Sequence, residues 1–152
     1  MDDRERQSRD AVLHEARSWL RTPYAPDQRV KGAGVDCAQL PAAVYHACGL
    51  IPYIPIEYYP PDWHLHRSEE RYLSKVLEHA DEIEGPPLWA DFALWHVGRC
   101  WAHGAIVVAW PRIIHAIVGQ GVVIGDAARD CLGRNHRLAS MDVHFYSVFG
   151  RA

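Results

Sequence analysis

Among the side chains here that can attack a carbonyl, Cys37 has the setting such chemistry needs. Gly34-Val35-Asp36-Cys37 ends a glycine-containing loop and delivers a thiol to the first turn of an expected helix. The unpaired N–H groups and the dipole of that turn favour a thiolate, and the same groups can donate to an oxyanion beside the sulfur. A nucleophilic thiol also requires a base, and the base requires something to orient it. His103 opens an apolar strand and His115 lies on the following one, equally far from residue 109 in the turn region. Residues equidistant from a hairpin turn lie side by side, so the two rings are expected to be cross-strand neighbours. One imidazole would face the thiol while the other fixes its tautomer. The competing reading is a pair of ordinary strand histidines turned to solvent. Cys48, Cys100 and Cys131 read as small buried hydrophobes. Four cysteines permit two bridges, but the spacing is not that of a small stapled scaffold.

The elements that must position these groups follow from periodicity. Residues 8–21 read as a helix with Val12, Ala16, Trp19 and Leu20 on one stripe and Ser8 or Asp10 as its cap. Pro23 ends it, and residues 25–35 read as a loop. Residues 36–48 read as a second helix, with Asp36 as N-cap, Leu40, Val44, Ala47 and Cys48 on one face, and Gly49 as the stop. Pro41 costs that helix a backbone bond and blurs its start. Residues 51–63 are rich in proline and aromatics and read as extended coil. Residues 68–83 read as a third helix, with Tyr72, Leu73, Val76, Leu77 and Ala80 as its apolar face. From about residue 90 the pattern becomes strands at 92–97, 104–110, 113–118, 122–124 and 143–149, with a short helix or turn over 126–135. Helices first and an antiparallel meander afterwards is the pattern of an α+β domain.

Composition narrows the function classes. The chain has 152 residues, 49% apolar and 23% charged, enough for one domain with a real core. Lys and Arg number 16 against 19 Asp and Glu, a net charge of −3, and only Lys31 and Lys75 are lysines. Such a balance argues against nucleic acid as a partner. No apolar run is long enough to span a membrane, and the charged N-terminus does not read as a secretion signal. His64 and His66 with Cys100 and His103 offer donors for zinc, but not at zinc-finger spacing. No metal or cofactor is expected.

Taken together, the motifs resemble those of the NlpC-type cysteine peptidases, papain-like enzymes that cut peptidoglycan stem peptides. The resemblance is strongest to their branch in tails of phages and gene transfer agents. The matching segments are residues 19–24, 30–40, 90–95, 103–108 and 113–116, in matching order and spacing over roughly residues 11–150. It implies a papain-like α+β fold, N-terminal helices packed on an antiparallel sheet, as a single domain over 1–152 with an insertion at 51–88. It implies Cys37 as nucleophile, His103 as general base and His115 as the third, orienting residue. Tyr24 matches a tyrosine beside the nucleophile. Asp36 matches the acidic residue before it, suited to helix capping and to contact with a substrate amine.

Three positions depart from the family pattern. Ala38-Gln39 replace Ser-Gly after the cysteine, and Gln39 adds a side chain that narrows the groove. Ala102 stands where an acidic or polar residue often precedes the base, and Trp89-Ala90-Asp91 replace Pro-Gly-Asp. The implied activity is hydrolysis of an amide in the stem peptide, usually D-glutamate to meso-diaminopimelate or lysine. The implied partners are peptidoglycan and neighbouring tail-tip proteins. The implied location is the tail tip acting on the host wall, after synthesis in the bacterial cytoplasm. The alternative is a structural part of the tail tip with little or no hydrolysis, using 51–63 and 68–83 as contact surface.

Overall fold

The computed structural model describes residues 1–56, 71–134 and 136–149. Helix α1 spans Asp3–Arg17 and α2 spans Gln39–Ala47, with a two-residue hairpin, β1 (Arg29–Val30) and β2 (Gly34–Val35), between them. Helix α3 (Arg71–His79) leads into β3 (Asp81–Ile83), and β4 (Phe92–Val97), β5 (Cys100–Ala109), β6 (Arg112–Ile117), β7 (Gly121–Asp126) and β8 (Val143–Ser147) follow. Strands β3 to β8 form one antiparallel sheet in the order β3-β8-β4-β5-β6-β7. The expected α+β class is therefore found. No helix of the described residues is long and apolar enough to cross a membrane.

Both sheet faces are buried, which is why β4 and β5 read as nearly continuous apolar runs. Phe92, Leu94, Ile106, Ile114 and Ala116 join the helical residues Val12, Ala16, Leu40 and Val44 in the main core. Ala93, Trp95, Ala105, Val107 and Ile113 form a second cluster on the other face, closed by Ala127 and Leu138.

Several element boundaries differ from expectation, each for a local reason. Helix α1 starts at Asp3, not residue 8, because the Asp2 carboxylate caps it by accepting the Glu5 N–H at 2.8 Å. It ends at Arg17, so Trp19 and Leu20 pack from the turn that follows. Helix α2 starts at Gln39 rather than residue 36, although the Asp36 carboxylate still caps it through the N–H groups of Ala38 (3.0 Å) and Gln39 (2.8 Å). Pro41 then falls in the first turn, where a missing N–H costs nothing within the helix. Gly49 ends α2 at φ 72°, with Leu50 N–H bonded to the Tyr45 carbonyl and Gly49 N–H to that of His46, the two bonds of a Schellman stop.

The third helix ends earlier than expected. Residues 81–83 are extended and pair with Phe145–Ser147 of β8. Tyr72, Leu73 and Val76 pack on the main core and Ala80 is buried, but Leu77 is half exposed. Ser68 and most of the coil expected at 51–63 lie outside the described residues. The loop at 25–35 contains the β1–β2 hairpin, and residues 127–129 are a turn rather than a helix.

One buried ion pair ties the helices to the sheet. Arg9, 4% exposed, reaches from α1 to the Asp91 carboxylate (2.9 Å) and the Trp89 carbonyl (2.7 Å), and its guanidinium lies 4.2 Å from the centre of the Phe149 ring. Asp91 also accepts the Leu88 N–H, which fixes the turn entering β4. Ala90 in that turn holds φ 70° with its methyl buried, a conformation glycine adopts more easily. Removing one partner strands the other charge. Asp91→Ala is expected to lower unfolding free energy by about 3–5 kcal/mol. In a urea titration, Arg9→Met/Asp91→Ala should cost less than the sum of the two single changes. Additive losses would mean that the pair is not coupled.

Candidate active site

The chain approaches Cys37 along a pinned path. Tyr24 bridges to Val35, with Val35 N–H on the Pro23 carbonyl (3.1 Å) and Ala25 N–H on that of Val35 (3.0 Å). Gly34 makes this possible: a Cβ there would sit 2.8 Å from the Ala25 methyl. Asp36 has its carboxylate divided between the helix cap and the Asp27 N–H (2.8 Å). Because Pro41 has no N–H, the Cys37 carbonyl has no partner within α2. The Tyr72 hydroxyl of α3 donates to it at 2.9 Å. A Cβ on Gly104 would strike that hydroxyl and the Phe92 ring, so the bare backbone of β5 lets Tyr72 in.

The sulfur lies against β5 at a bulge. Trp95 pairs with His103 and His96 with Trp101, leaving Ala102 as the extra residue. The Cys37 Sγ is 3.5 Å from the Ala102 carbonyl oxygen, its hydrogen-bond acceptor. The Gly104 N–H, the Cys37 N–H and the Tyr24 hydroxyl donate toward the sulfur. Burial and the nearby Asp36 carboxylate outweigh these donors and push the Cys37 thiol up to about 12. The help that the helix start gives to a thiolate is therefore opposed here. Asp36 already takes the first N–H groups of α2, and its own charge opposes a second anion. Burial, with the Cys37 and Asp36 charges, also pushes Tyr24 up, so its phenol remains a donor.

His103 and His115 meet as expected, although by a different register. Ile106 pairs with Ile114 and Val107 with Ile113, which centres the hairpin on residue 110 and sets the two histidines diagonally. The two-residue offset keeps both on one face, and diagonal neighbours remain within side-chain reach. His103 Nε2 lies 2.9 Å from His115 Nδ1. The rings are buried, 6% and 0% exposed, which rejects the solvent-facing alternative. Burial lowers His103 to about 3, helped by His115, and lowers His115 to about 4 against the opposing pull of Asp130. Both rings are neutral at rest, and Trp95 packs beside His103 with ring centres 5.8 Å apart.

Cys37, His103, Tyr24, Asp36 and Gln39 all line one cavity of about 650 Å³. His115 stands behind His103. Gln39 is drawn back by Arg29, whose Nε (2.9 Å) and terminal nitrogen (2.5 Å) both donate to its Oε1, so it narrows the groove less than a free side chain would. Sequence reasoning missed Tyr72 as a polar partner, although the missing N–H of Pro41 is a readable sign that the Cys37 carbonyl needs one. It also missed Gly104 and Asp130. No disulfide joins the four cysteines. Cys100 is buried as expected, whereas Cys48 is half-buried and Cys131 exposed, both corrections. His64 and His66 lie outside the described residues. Among the described residues, no group of three or more His, Cys, Asp or Glu is arranged to hold a metal.

No protein-family model and no curated protein matches the sequence. Solved structures do match. The crystal structure of the NlpC/p60 domain of the peptidoglycan hydrolase SagA aligns with TM-score 0.57 at 18% identity, over 90% of this chain and 96% of that one. A lipoprotein-like member of the NLP/P60 family from Staphylococcus aureus aligns with TM-score 0.65 at 18% identity, over 99% of this chain. This chain spans 43% of that protein's length. The fold is thus that of these NlpC/p60 structures, α+β as expected.

The buried histidine pair has a thermodynamic consequence. Both rings titrate lower in the folded protein than at the ordinary value of 6.5, so the unfolded chain takes up protons first as pH falls. Their effect is absent above pH 6.5 and destabilises progressively from there toward the folded values. The melting temperature is expected to fall by on the order of 10 °C from about pH 7 to about pH 4.5. Replacing His115 with Gln should flatten that slope; an unchanged slope would place the acid sensitivity elsewhere.

Proposed function

We propose that this chain is a cysteine peptidase that hydrolyses an amide bond in peptidoglycan stem peptides. Cys37 is the nucleophile, His103 the base and His115 the residue that orients the base. One observation carries the reading: within an NlpC/p60 fold, Cys37 and His103 line one cavity, and His103 has its far nitrogen held by a second buried imidazole. The name of one similar structure, a peptidoglycan hydrolase, supports the substrate class. The tail-tip setting and its protein partners rest on the sequence resemblance.

The chemistry follows from the resting protonation states. With His103 Nε2 engaged by His115, Nδ1 is the nitrogen left for the thiol. The thiol and imidazole both start neutral, so His103 acts as a general base during attack and no standing ion pair is needed. The Cys37 sulfur bonds to the amide carbon as its proton passes to His103 Nδ1. The Tyr24 hydroxyl and the Cys37 N–H, which face the sulfur, stabilise the oxyanion. His103 returns the proton to the leaving nitrogen as the C–N bond breaks, giving a thioester and a free amine. Water, deprotonated by His103, then cleaves the thioester, and the proton goes back to sulfur. The net change is amide plus water to acid plus amine. Asp36, beside Asp27 on the cavity wall, is an anion suited to a substrate ammonium group.

Purified muropeptides incubated with the protein and separated by mass should yield fragments bearing a new amine. Cys37→Ala should lower the rate by about 10⁴-fold or more. Cys131→Ala, which changes an exposed thiol, should leave it unchanged. Equal digestion by the wild type and Cys37→Ala would remove Cys37 from the mechanism. Because His103 is a base only when neutral and its value is lowered to about 3, activity should persist well into acid, limited there by folding stability. An acid limb at the ordinary histidine value in the still-folded protein would contradict a buried base.

A further inference from the structure

The His103–His115 contact holds a single hydrogen, and its position decides whether His103 is a base. If His103 Nε2 carries it, His103 Nδ1 presents a lone pair toward the cavity, and neutral His115 must carry its own proton on Nε2. If His115 Nδ1 carries it, neutral His103 must be protonated on Nδ1 and cannot accept from the thiol. His115 Nε2 would then be a bare lone pair.

What surrounds His115 Nε2 distinguishes the two arrangements. This atom is fully buried with no hydrogen-bond partner among the described residues. Asp130 Oδ2 lies 3.7 Å away. A carboxylate there attracts an N–H and repels a lone pair. Asp130 is fixed from three sides: its Oδ2 accepts the Asp126 N–H at 2.8 Å, its own N–H binds the Asp126 carbonyl at 2.8 Å, and its carbonyl accepts the Leu138 N–H at 3.0 Å. The space between is kept clear by Gly125, where a Cβ would lie 2.6 Å from His115 Nε2 and closer still to Asp130 Oδ2. Gly125 has no positive φ, so the backbone does not call for glycine there; the clearance does. Among the described residues, Asp130 is the charged group acting on His115, and His115 is the ionisable group acting on His103. The neighbouring Asp126 turns instead to the Ala128 N–H and Arg129.

We propose that Asp130 is a positioning residue: across the gap left by Gly125 it holds the proton of His115 on Nε2, and so fixes His103 as the tautomer whose Nδ1 accepts the thiol proton. As His103 becomes an imidazolium, the same carboxylate stabilises the positive charge through His115. This role rests on the reading of Cys37 and His103 as nucleophile and base.

Asp130→Asn tests it, because the amide keeps an acceptor for the Asp126 N–H and removes only the charge. Nitrogen-15 NMR of the wild-type ring nitrogens should find His115 protonated on Nε2 and His103 unprotonated on Nδ1. The opposite tautomers would overturn the proposal whether or not the variant folds. Alkylation of Cys37 by iodoacetamide, followed against pH, should have a base-assisted plateau near neutrality and a direct thiolate branch in strong alkali. Asp130→Asn should lower the plateau by about tenfold, the equivalent of roughly one pKa unit of lost charge stabilisation. The alkaline branch and the melting temperature at neutral pH should not move. Superimposable profiles, or a loss in both branches with a lower melting temperature, would reduce Asp130 to a turn residue. A wild type with the expected tautomers and plateau that leaves muropeptides intact would reject the peptidase reading while Asp130 retained its role.

Discussion

Two buried imidazoles share one hydrogen, and much of this molecule is arranged around that constraint. Neither ring can ionise cheaply, since burial lowers both. Each must therefore satisfy its nitrogens as a neutral group, and the 2.9 Å contact does this for one nitrogen of each. The sheet makes the contact possible by setting the pair diagonally on β5 and β6, on the face closed by Ala127 and Leu138. Asp130 lies on the turn that leaves β7, within the segment bearing those residues, so covering the second core and addressing His115 are tasks of one stretch of chain.

On the helical side the corresponding constraint is an unpaired carbonyl. Pro41 frees the oxygen of Cys37 from α2, and the Tyr72 hydroxyl occupies it from α3. The Cys37 backbone is thereby tied to an element that packs over β5 at Gly104. Asp36 completes the junction by holding both the start of α2 and the 26–27 turn. The result is a rigid thiol that is neutral at rest. A neutral pair places the driving force for attack in the proton transfer itself, where a pre-positioned base is worth most. In the proposed mechanism this is the work of the contacts that hold His103, while the donors facing the sulfur are outweighed by burial and by Asp36.

The sequence made some of this readable and left the rest hidden. The apolar runs at 92–97 and 113–118, the glycine stop of α2 and the pairing of two histidines across a hairpin are local patterns, and local physics decides them. The register of that hairpin depends on the irregularity between Val107 and Ala109, which no periodicity announces. Residues 81–83 looked helical because Leu77 and Ala80 continue a helical stripe, but β8 offers them ladder bonds that the stripe cannot predict. Helix-start logic at Cys37 ignores what already occupies the N–H groups; Asp36, one residue away, is both the cap and an opposing charge. Asp130 and Gly125 were invisible for a simpler reason. Their importance lies in a gap between side chains, and a gap leaves no mark in a sequence.

The most direct test of the central claim is to look for the thioester itself. Full-length protein mixed with muropeptide, quenched in acid within the first turnover and digested for mass spectrometry, should carry an acyl increment on the peptide containing Cys37. The peptides containing Cys48, Cys100 and Cys131 should remain unmodified. Substrate consumed with no acyl group on Cys37 at any quench time, or an acyl group found on another cysteine, would contradict the mechanism proposed for this chain.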